Sequence, residues 1–246
     1  MDIQDIAVAV SGIALGGFLK GATGAGAPVV GVPVLALVVG VQQSVAVFAV
    51  LNLVSNIWQA WAFRDAIMQP RLVRRFAVGG CVGALLGTLL LASLSTAALM
   101  AGLAMIVFLY IGLRLARPDW QISRETGERI SGVAGFAGGI MQGAGGLSAP
   151  ASVTFLNAMR LGRAEFIGTI SVFFLMMSVT QVPSLIAVGL LDMRGIGFGL
   201  LACIPLFGAM PFGAVAARRV SKEVFDRLIL GFLAIVATRL LFIVMV

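Results

Sequence analysis

Long apolar runs with almost no charged residues constrain this chain more than any other feature of its sequence. Of its 246 residues, 60% are hydrophobic and 11% are charged, whereas a soluble domain of this size needs a charged surface to cover its core. The runs reach roughly 18 to 25 residues, the length that a helix needs to cross about 30 Å of hydrocarbon. They are continuous, and a transmembrane β-barrel would instead alternate apolar and polar residues. The sequence therefore predicts an all-α polytopic membrane protein.

The apolar residues divide into ten segments. They span residues 3–20, 29–41, 44–63, 72–92, 96–115, 130–141, 150–159, 164–191, 196–217 and 224–246. The second and the seventh segments are short, and each follows a Gly-rich stretch. If both cross the membrane, the chain has ten crossings; if both are re-entrant half-helices, it has eight. The sequence leaves these two alternatives open.

The order of the segments is the same in both parts of the chain: long, Gly-rich break, short, long, long, long. A shift of 122 residues places 16–28 over 138–150, and seven positions then carry identical residues: Gly16, Gly17, Gly21, Ala22, Gly24, Ala27 and Pro28. Such internal duplication is typical of secondary transporters. We predict a first transmembrane repeat at 1–116, a cytoplasmic linker at 117–129 and a second transmembrane repeat at 130–246.

Basic residues concentrate in loops that fall on one side of the membrane if every segment crosses it. These loops carry Arg64, Arg71, Arg74 and Arg75; Arg114, Arg117, Arg124 and Arg129; Arg160 and Arg163; and Arg218, Arg219, Lys222 and Arg227. Since basic loops stay in the cytoplasm, this side is predicted to be cytoplasmic, in a cell (inner) membrane. Five crossings per half would give the two halves opposite topology, an inverted repeat. Eight crossings would make the halves parallel.

The composition excludes several classes of function. The chain has no histidine, and its two cysteines, Cys81 and Cys203, lie inside apolar segments. A metal site, a Ser-His triad and a cofactor are therefore not expected, and the chain is not predicted to be an enzyme. The net charge of +7 comes from short loops, so nucleic acid is not an expected partner. Asp2 and Asp5 stand where a signal peptide would carry positive charge.

The two Gly-rich breaks are the predicted substrate site. Glycine and proline destabilise a helix, and unwound backbone inside a membrane must be buried in protein or line a wet cavity. Free N–H groups beside the start of a short helix would bind an anion. The predicted substrate-binding residues are Lys20, Gly21, Thr23, Gly24, Gly26, Gln142, Gly143, Gly145, Gly146 and Ser148. The alternative is that small residues only let helices pack closely and that Lys20 extends to the lipid headgroups.

A second group of polar residues is predicted to line the pathway or to couple transport to an ion. Asn52, Asn56 and Gln59 share one face of a helix at spacings of four and three, and amides facing lipid are costly. Thr169 is a weaker candidate for the same role. Glu165 is the acidic residue nearest a repeat core and, with Arg163, is a candidate for coupling. Its alternative role is to cap the helix and form an ion pair at the cytoplasmic interface.

Both breaks carry a glycine motif that resembles a known family. The motifs are Gly17-x-x-x-Gly21-x-x-Gly24-x-Gly26 and Gly139-x-x-x-Gly143-x-Gly145-Gly146, with Leu161-Gly162-Arg163-Ala164-Glu165 and Thr169 further along. Together with the duplicated segment order, they resemble the TauE/SafE sulfite-exporter family of permeases over nearly the whole chain. The resemblance implies export of sulfite or of an organosulfonate. The first motif departs from the expected pattern at Ala27-Pro28, where another glycine would follow Gly26.

These observations predict a membrane permease for a small anion, a sulfur oxyanion or organosulfonate, bound between the two breaks and moved by rocking of the two halves. An anion channel and a membrane scaffold or assembly subunit are the alternatives. The expected partners are a small anion and the lipid bilayer, and a homodimer is an open alternative. The sequence does not determine which anion moves, in which direction, or with which coupling ion.

Overall fold

The computed structural model describes residues 2–116, 120–219 and 222–245, and helices form nearly all of this part of the chain. They are α1 Ile3–Thr23, α2 Ala27–Ala62, α3 Pro70–Ser93, α4 Thr96–Ala116, α5 Arg124–Gly145, α6 Ser152–Ala158, α7 Arg163–Ala187, α8 Met193–Arg219 and α9 Lys222–Met245, with a 3-10 turn at Arg64–Ala66. Six of these helices are long and apolar enough to cross a membrane. The prediction of an all-α polytopic membrane protein is confirmed.

Helix α2 contains both the second and the third predicted segments, joined at a kink. Gly40 has φ 80° and ψ 167°, a backbone conformation that is essentially restricted to glycine. It separates a short arm, α2a (27–39), from a long arm, α2b (41–62). The predicted short segment after the first break is therefore present, and the glycine conformation sets its end.

The short segment of the second half differs from the prediction. A helix was expected over 150–159, whereas α6 has seven residues, Ser152–Ala158. At about 1.5 Å per residue this helix is roughly 10 Å long, a third of the hydrocarbon thickness. Helix α6 therefore cannot cross the membrane, and the count of ten full crossings is wrong for this segment.

The first helix of the second half also begins earlier than predicted. It starts at Arg124, where the Ser123 side chain accepts a hydrogen bond from the Thr126 backbone N–H, and not at Ile130. The predicted linker 117–129 is therefore helical over its last six residues, so the helix continues beyond its apolar part into charged sequence. Residues 117–119 lie outside the described residues.

Helices of the two halves pack closely against each other where glycines replace larger side chains. A Cβ atom on Gly17 or Gly21 of α1 would lie within 3.0 Å of a backbone carbonyl oxygen of α8, at Leu206 and Met210 respectively. The corresponding glycines of α5, Gly139 and Gly143, approach carbonyl oxygens of α3, at Gly80 and Ala84, equally closely. Residue numbers rise together along both helices of each pair, so α1 is parallel to α8 and α5 is parallel to α3.

The long helices α2b and α7 pack against each other and are antiparallel. Ser171 Oγ of α7 donates to Gln59 Oε1 of α2b at 3.2 Å, and a Cβ atom on Gly168 would meet the carbonyl oxygen of Phe63 at 2.8 Å. Numbers thus rise along one helix as they fall along the other. The 122-residue shift makes α2b and α7 equivalent, and antiparallel equivalent helices are what an inverted repeat requires. The opposite topology of the halves in the membrane stays a prediction.

The apolar side chains divide between interior and outer surface. One interior cluster surrounds α2 and includes Phe48, and a second joins α3, α6 and α7. In the second cluster Phe76 and Phe173 stack with ring centroids 3.8 Å apart. Large apolar side chains such as Phe212 and Ile235 are exposed on the outside, as expected of helices that face lipid.

Candidate functional site

Both Gly-rich breaks begin with a glycine in the left-handed conformation. Gly24 ends α1 with φ 86°, and its N–H donates to the Lys20 carbonyl oxygen at 2.7 Å. Gly146 ends α5 with φ 69°, and its N–H donates to the Gln142 carbonyl oxygen at 2.8 Å. This is a common way to end a helix, and a side chain at either position would be strained. The prediction that the chain unwinds at these two equivalent positions is confirmed.

Each break packs against the other half at equivalent residues. A Cβ atom on Gly24 would meet Ile167 of α7 at 2.5 Å, and one on Gly146 would meet Val45 of α2b at 3.2 Å. Ile167 and Val45 are themselves related by the shift of 122 residues. The two breaks therefore occupy equivalent places in the fold, each at the start of the other half's long helix.

The first break is short and offers few free backbone donors. Only 24–26 are non-helical before α2a starts, with Pro28 in its first turn, and the N–H of Ala25 donates to Thr23 Oγ1 at 3.3 Å. In the second break the Ser148 carbonyl accepts from the N–H groups of Ala151 and Ser152. The predicted row of free N–H groups is thus partly used up by turns within the protein.

A cavity of about 540 Å³ opens at the first break. Thr23 and Gly26 line it, and its walls are the last turns of α1, α4 and α8 together with α6 and the first turns of α7 and α9. Arg163 contributes positive charge to the wall. No residue of 145–150 lines this cavity, and all six are buried. The first break therefore lies against a cavity at the basic end of the helices, whereas the second break is buried and does not line this cavity.

Lys20 is buried directly behind this cavity. The residue is 1% exposed, and its Nζ donates to Asn56 Oδ1 of α2b at 2.7 Å. It is the one buried charged residue in the described part of the chain, where no carboxylate pairs with it. An ammonium held in this way is costly, by several kcal/mol, although the carbonyl groups at the end of α1 offset part of its charge. The alternative in which Lys20 extends to the headgroups is excluded by its burial.

Unpaired amide and hydroxyl groups lie on α2b at Asn56, the partner of this lysine, and within about one turn of it. Both side-chain polar atoms of Asn52, the Oγ of Ser55 and the Nδ2 of Asn56 are buried and have no hydrogen-bond partner within the described residues. Native proteins leave few such atoms, and each costs about 1–3 kcal/mol. We call Lys20, Asn52, Ser55 and Asn56 the lysine pocket. Ser55 was not predicted, although its spacing of three from Asn52 could have indicated it.

The other predicted pathway residues are bonded within the protein. Gln59 Oε1 accepts from Ser171, and Thr169 Oγ1 accepts from the Met68 backbone N–H at 3.1 Å. These two contacts fix α7 against α2b and the segment that follows it. Of the four predicted pathway residues, the structure therefore brings Asn52 and Asn56 to the lysine pocket and gives Gln59 and Thr169 structural contacts.

The predicted residues of the second break form a separate buried group. Among the described residues, the Oε1 atoms of Gln142 and Gln181 have no hydrogen-bond partner, and Gln181 Nε2 donates to the Gln142 carbonyl oxygen at 3.3 Å. The Ser148 hydroxyl bonds the Ser152 hydroxyl at 2.9 Å. Gly145 would place a Cβ atom 3.1 Å from Ile106 of α4. Neutral groups thus stand where the first half carries Lys20.

The two candidates for coupling lie at the basic end of the helices. Arg163 Nη2 donates to the carbonyl oxygens of Gly21 and Ala22 at 3.4 and 3.3 Å, which places a cation at the C-terminal end of α1. Glu165 stands in the first turn of α7 and pairs with Arg124 at 3.1 Å. The structure thus gives Glu165 the ion pair of the alternative role, whereas no side-chain hydrogen bond within the described residues caps the start of α7.

The comparison with protein families gives one match. The model of the family described as Sulfite exporter TauE/SafE matches residues 8–240. No curated protein and no solved structure gave a match. The match includes both breaks, the lysine pocket and the wall of the cavity.

Proposed function

The chain belongs to the sulfite exporter TauE/SafE family of membrane permeases, and we propose that it moves a small anion, a sulfur oxyanion or an organosulfonate, through the lysine pocket. The proposed setting is the inner membrane, with the basic end of the helices in the cytoplasm.

One observation supports this proposal: within the described residues, the buried Lys20 side chain has no carboxylate partner, and it contacts a helix face whose amide groups lack hydrogen-bond partners. A bound anion would supply the missing negative charge to Lys20 and hydrogen-bond acceptors to the Nδ2 groups of Asn52 and Asn56. Hydrogen bonds that involve a charged group are the stronger kind. The site that we propose is therefore built mainly by α1 and α2b, with the first break as its edge.

The cavity supplies the route to this pocket. Leu19 and Ala22 of α1 line it, whereas Lys20, between them in sequence, faces α2b. A modest displacement of the end of α1 would join cavity and pocket. Arg163 in the cavity wall attracts anions toward this point. Because the cavity lies at the basic end, loading would occur from the cytoplasm, as export requires.

The buried second break suggests a cycle of alternating access. In a transporter built from internal repeats, equivalent sites of the two repeats would be accessible in turn from opposite sides of the membrane. Opening at Gly146 with closure at Gly24 would present the pocket to the opposite side. A cross-link that locks the two breaks in their present state is expected to stop transport, and transport that continued would overturn this cycle.

The first test is thermal unfolding of the detergent-purified protein with sulfite, thiosulfate, sulfate, sulfoacetate, acetate and chloride. A ligand that binds the native state raises its apparent stability. We expect a selective rise with a sulfur anion, lost in Asn52→Leu, which replaces the unpaired amide by an apolar group of similar size. The matched control is Gln43→Met, a similar change at an exposed amide of the same helix. No rise with any anion would overturn the proposed function.

A further inference from the structure

We propose that the lysine pocket selects its substrate by charge, accepting anions that carry one negative charge and rejecting dianions. This inference rests on the proposed function and narrows its substrate class. A sulfonate group or hydrogen sulfite fits it, whereas sulfate and thiosulfate do not.

The described elements packed against the lysine pocket present no second charge to it. Helix α1 packs on α2 and α8. From α2 the ammonium meets the neutral amide of Asn56, and from α8 the neighbouring residue at this level is Met210, beside Gly21. Lys20 is thus the one charge that the described residues place inside the pocket.

The helix α1 also contributes to the electrostatics of the pocket. Lys20 stands in the last turn of α1, and the C-terminal end of a helix carries about half a negative charge. The lysine pocket by itself therefore has a small surplus of positive charge. One negative charge brings it close to neutrality, but two negative charges leave a buried excess, which a low-dielectric site disfavours strongly.

Arg163 lines the cavity beside the end of α1, and Arg114 and Arg160 also line it. The Arg163 side chain contacts α1. It is exposed, and its guanidinium is bound to the carbonyl oxygens of Gly21 and Ala22. Water and ions in the cavity screen its charge. Arg163 can attract an anion to the cavity, but it offers little compensation for a second charge inside the pocket.

The unpaired groups of Asn52 also disfavour a second negative charge. Within the described residues, neither its side-chain carbonyl oxygen nor its side-chain NH2 group has a hydrogen-bond partner. The carbonyl oxygen is an acceptor and repels negative charge. A dianion, whose oxygens together carry twice the charge of a sulfonate group, is therefore repelled more strongly than a monoanion.

The experiment uses three ligands with four groups around one sulfur and different charges: dimethyl sulfone (neutral), methanesulfonate (one negative charge) and sulfate (two). Binding to the purified full-length protein is measured by calorimetry and by thermal shift. We expect methanesulfonate to bind about tenfold more tightly than either of the others, or better. Sulfate that binds as well as methanesulfonate or better overturns the charge rule and leaves the permease proposal intact. If neither these ligands nor the anion panel binds, the proposed function fails with it.

A variant tests the same rule from the protein's side. Asn56→Asp places a fixed carboxylate next to the Lys20 ammonium with almost no change in volume. The internal counter-ion should lower the affinity for methanesulfonate by about tenfold or more, while the protein stays folded. Gln43→Glu makes the same charge change at an exposed position of α2 and should leave this affinity unchanged. An Asn56→Asp protein that binds methanesulfonate like the wild type overturns the inference. If it does not fold, the three-ligand series on the wild type still decides.

Discussion

Replacing Lys20 by methionine separates a role in binding from a role in folding. The change keeps the length of the side chain and removes its charge. It also removes the hydrogen bond to Asn56 at 2.7 Å, and a bond to a charged group contributes about 1.5–3 kcal/mol. Against this loss, the variant no longer buries an ammonium without a carboxylate, which costs several kcal/mol. We therefore expect the free energy of unfolding to stay the same or to rise.

The effect on ligand binding has the opposite sign. An ammonium and an anion about 4 Å apart attract each other by about 4 kcal/mol at an effective dielectric constant of 20. The net contribution of one charged hydrogen bond is smaller, about 1.5–3 kcal/mol, which corresponds to a loss of affinity of roughly 10- to 150-fold. Lys20→Arg keeps the charge and should lose less than about tenfold.

The assay is thermal unfolding of each variant as a function of ligand concentration, because stabilisation by a ligand reports its dissociation constant. The expected pattern is a stable Lys20→Met protein that no longer responds to the ligand. Two results would refute the reasoning. One is an affinity within about twofold of the wild type. The other is a variant that loses more than about 2 kcal/mol of stability and still binds the ligand, as a purely structural lysine would.

Three further predictions concern the helices around the pocket, and thermal unfolding checks each. Gly21→Ala forces a methyl group onto a carbonyl oxygen of α8 and should lower the free energy of unfolding by about 1–3 kcal/mol. Gly102→Ala, with nothing within 4 Å, is the control and should raise the free energy of unfolding by about 0.5–1 kcal/mol. Equal changes in the two variants would contradict the packing role of Gly21. Gly40→Ala should cost about 1–3 kcal/mol despite its open surroundings, because its backbone conformation strains any other residue. Glu165→Gln breaks the ion pair with Arg124 and should lower the free energy of unfolding by less than about 1 kcal/mol. The variant should still be stabilised by the ligand. A variant that the ligand no longer stabilises would support a coupling role for Glu165.

The sequence was sufficient to predict the helical segments and the two breaks, since these depend on local composition. It did not show that α2 is one helix with a kink, because the conformation of Gly40 arises from the fold. Nor did it show that α6 has only seven residues, since an apolar run does not reveal how much of it is helical.

The contacts between the halves were also beyond the sequence. Gly143 of α5 meets Ala84, and its equivalent Gly21 meets Met210. These partners are 126 residues apart, four more than the 122 that relate the breaks, so the simple shift loses the repeat before α8. The lysine pocket combines residues 36 positions apart, and local patterns do not predict which face of α1 meets which face of α2b.

The glycine contacts decide which parts of the protein can move together. Helices whose backbones are in direct contact cannot easily shift relative to each other. We therefore expect α1 and α8 to move as one rigid pair, and α5 and α3 as another. Each pair takes one helix from each half of the sequence. Any movement that exposes the pocket on alternate sides therefore divides the molecule along a boundary that runs through both repeats. Expressed alone, either repeat would lack the surface that positions its own first helix.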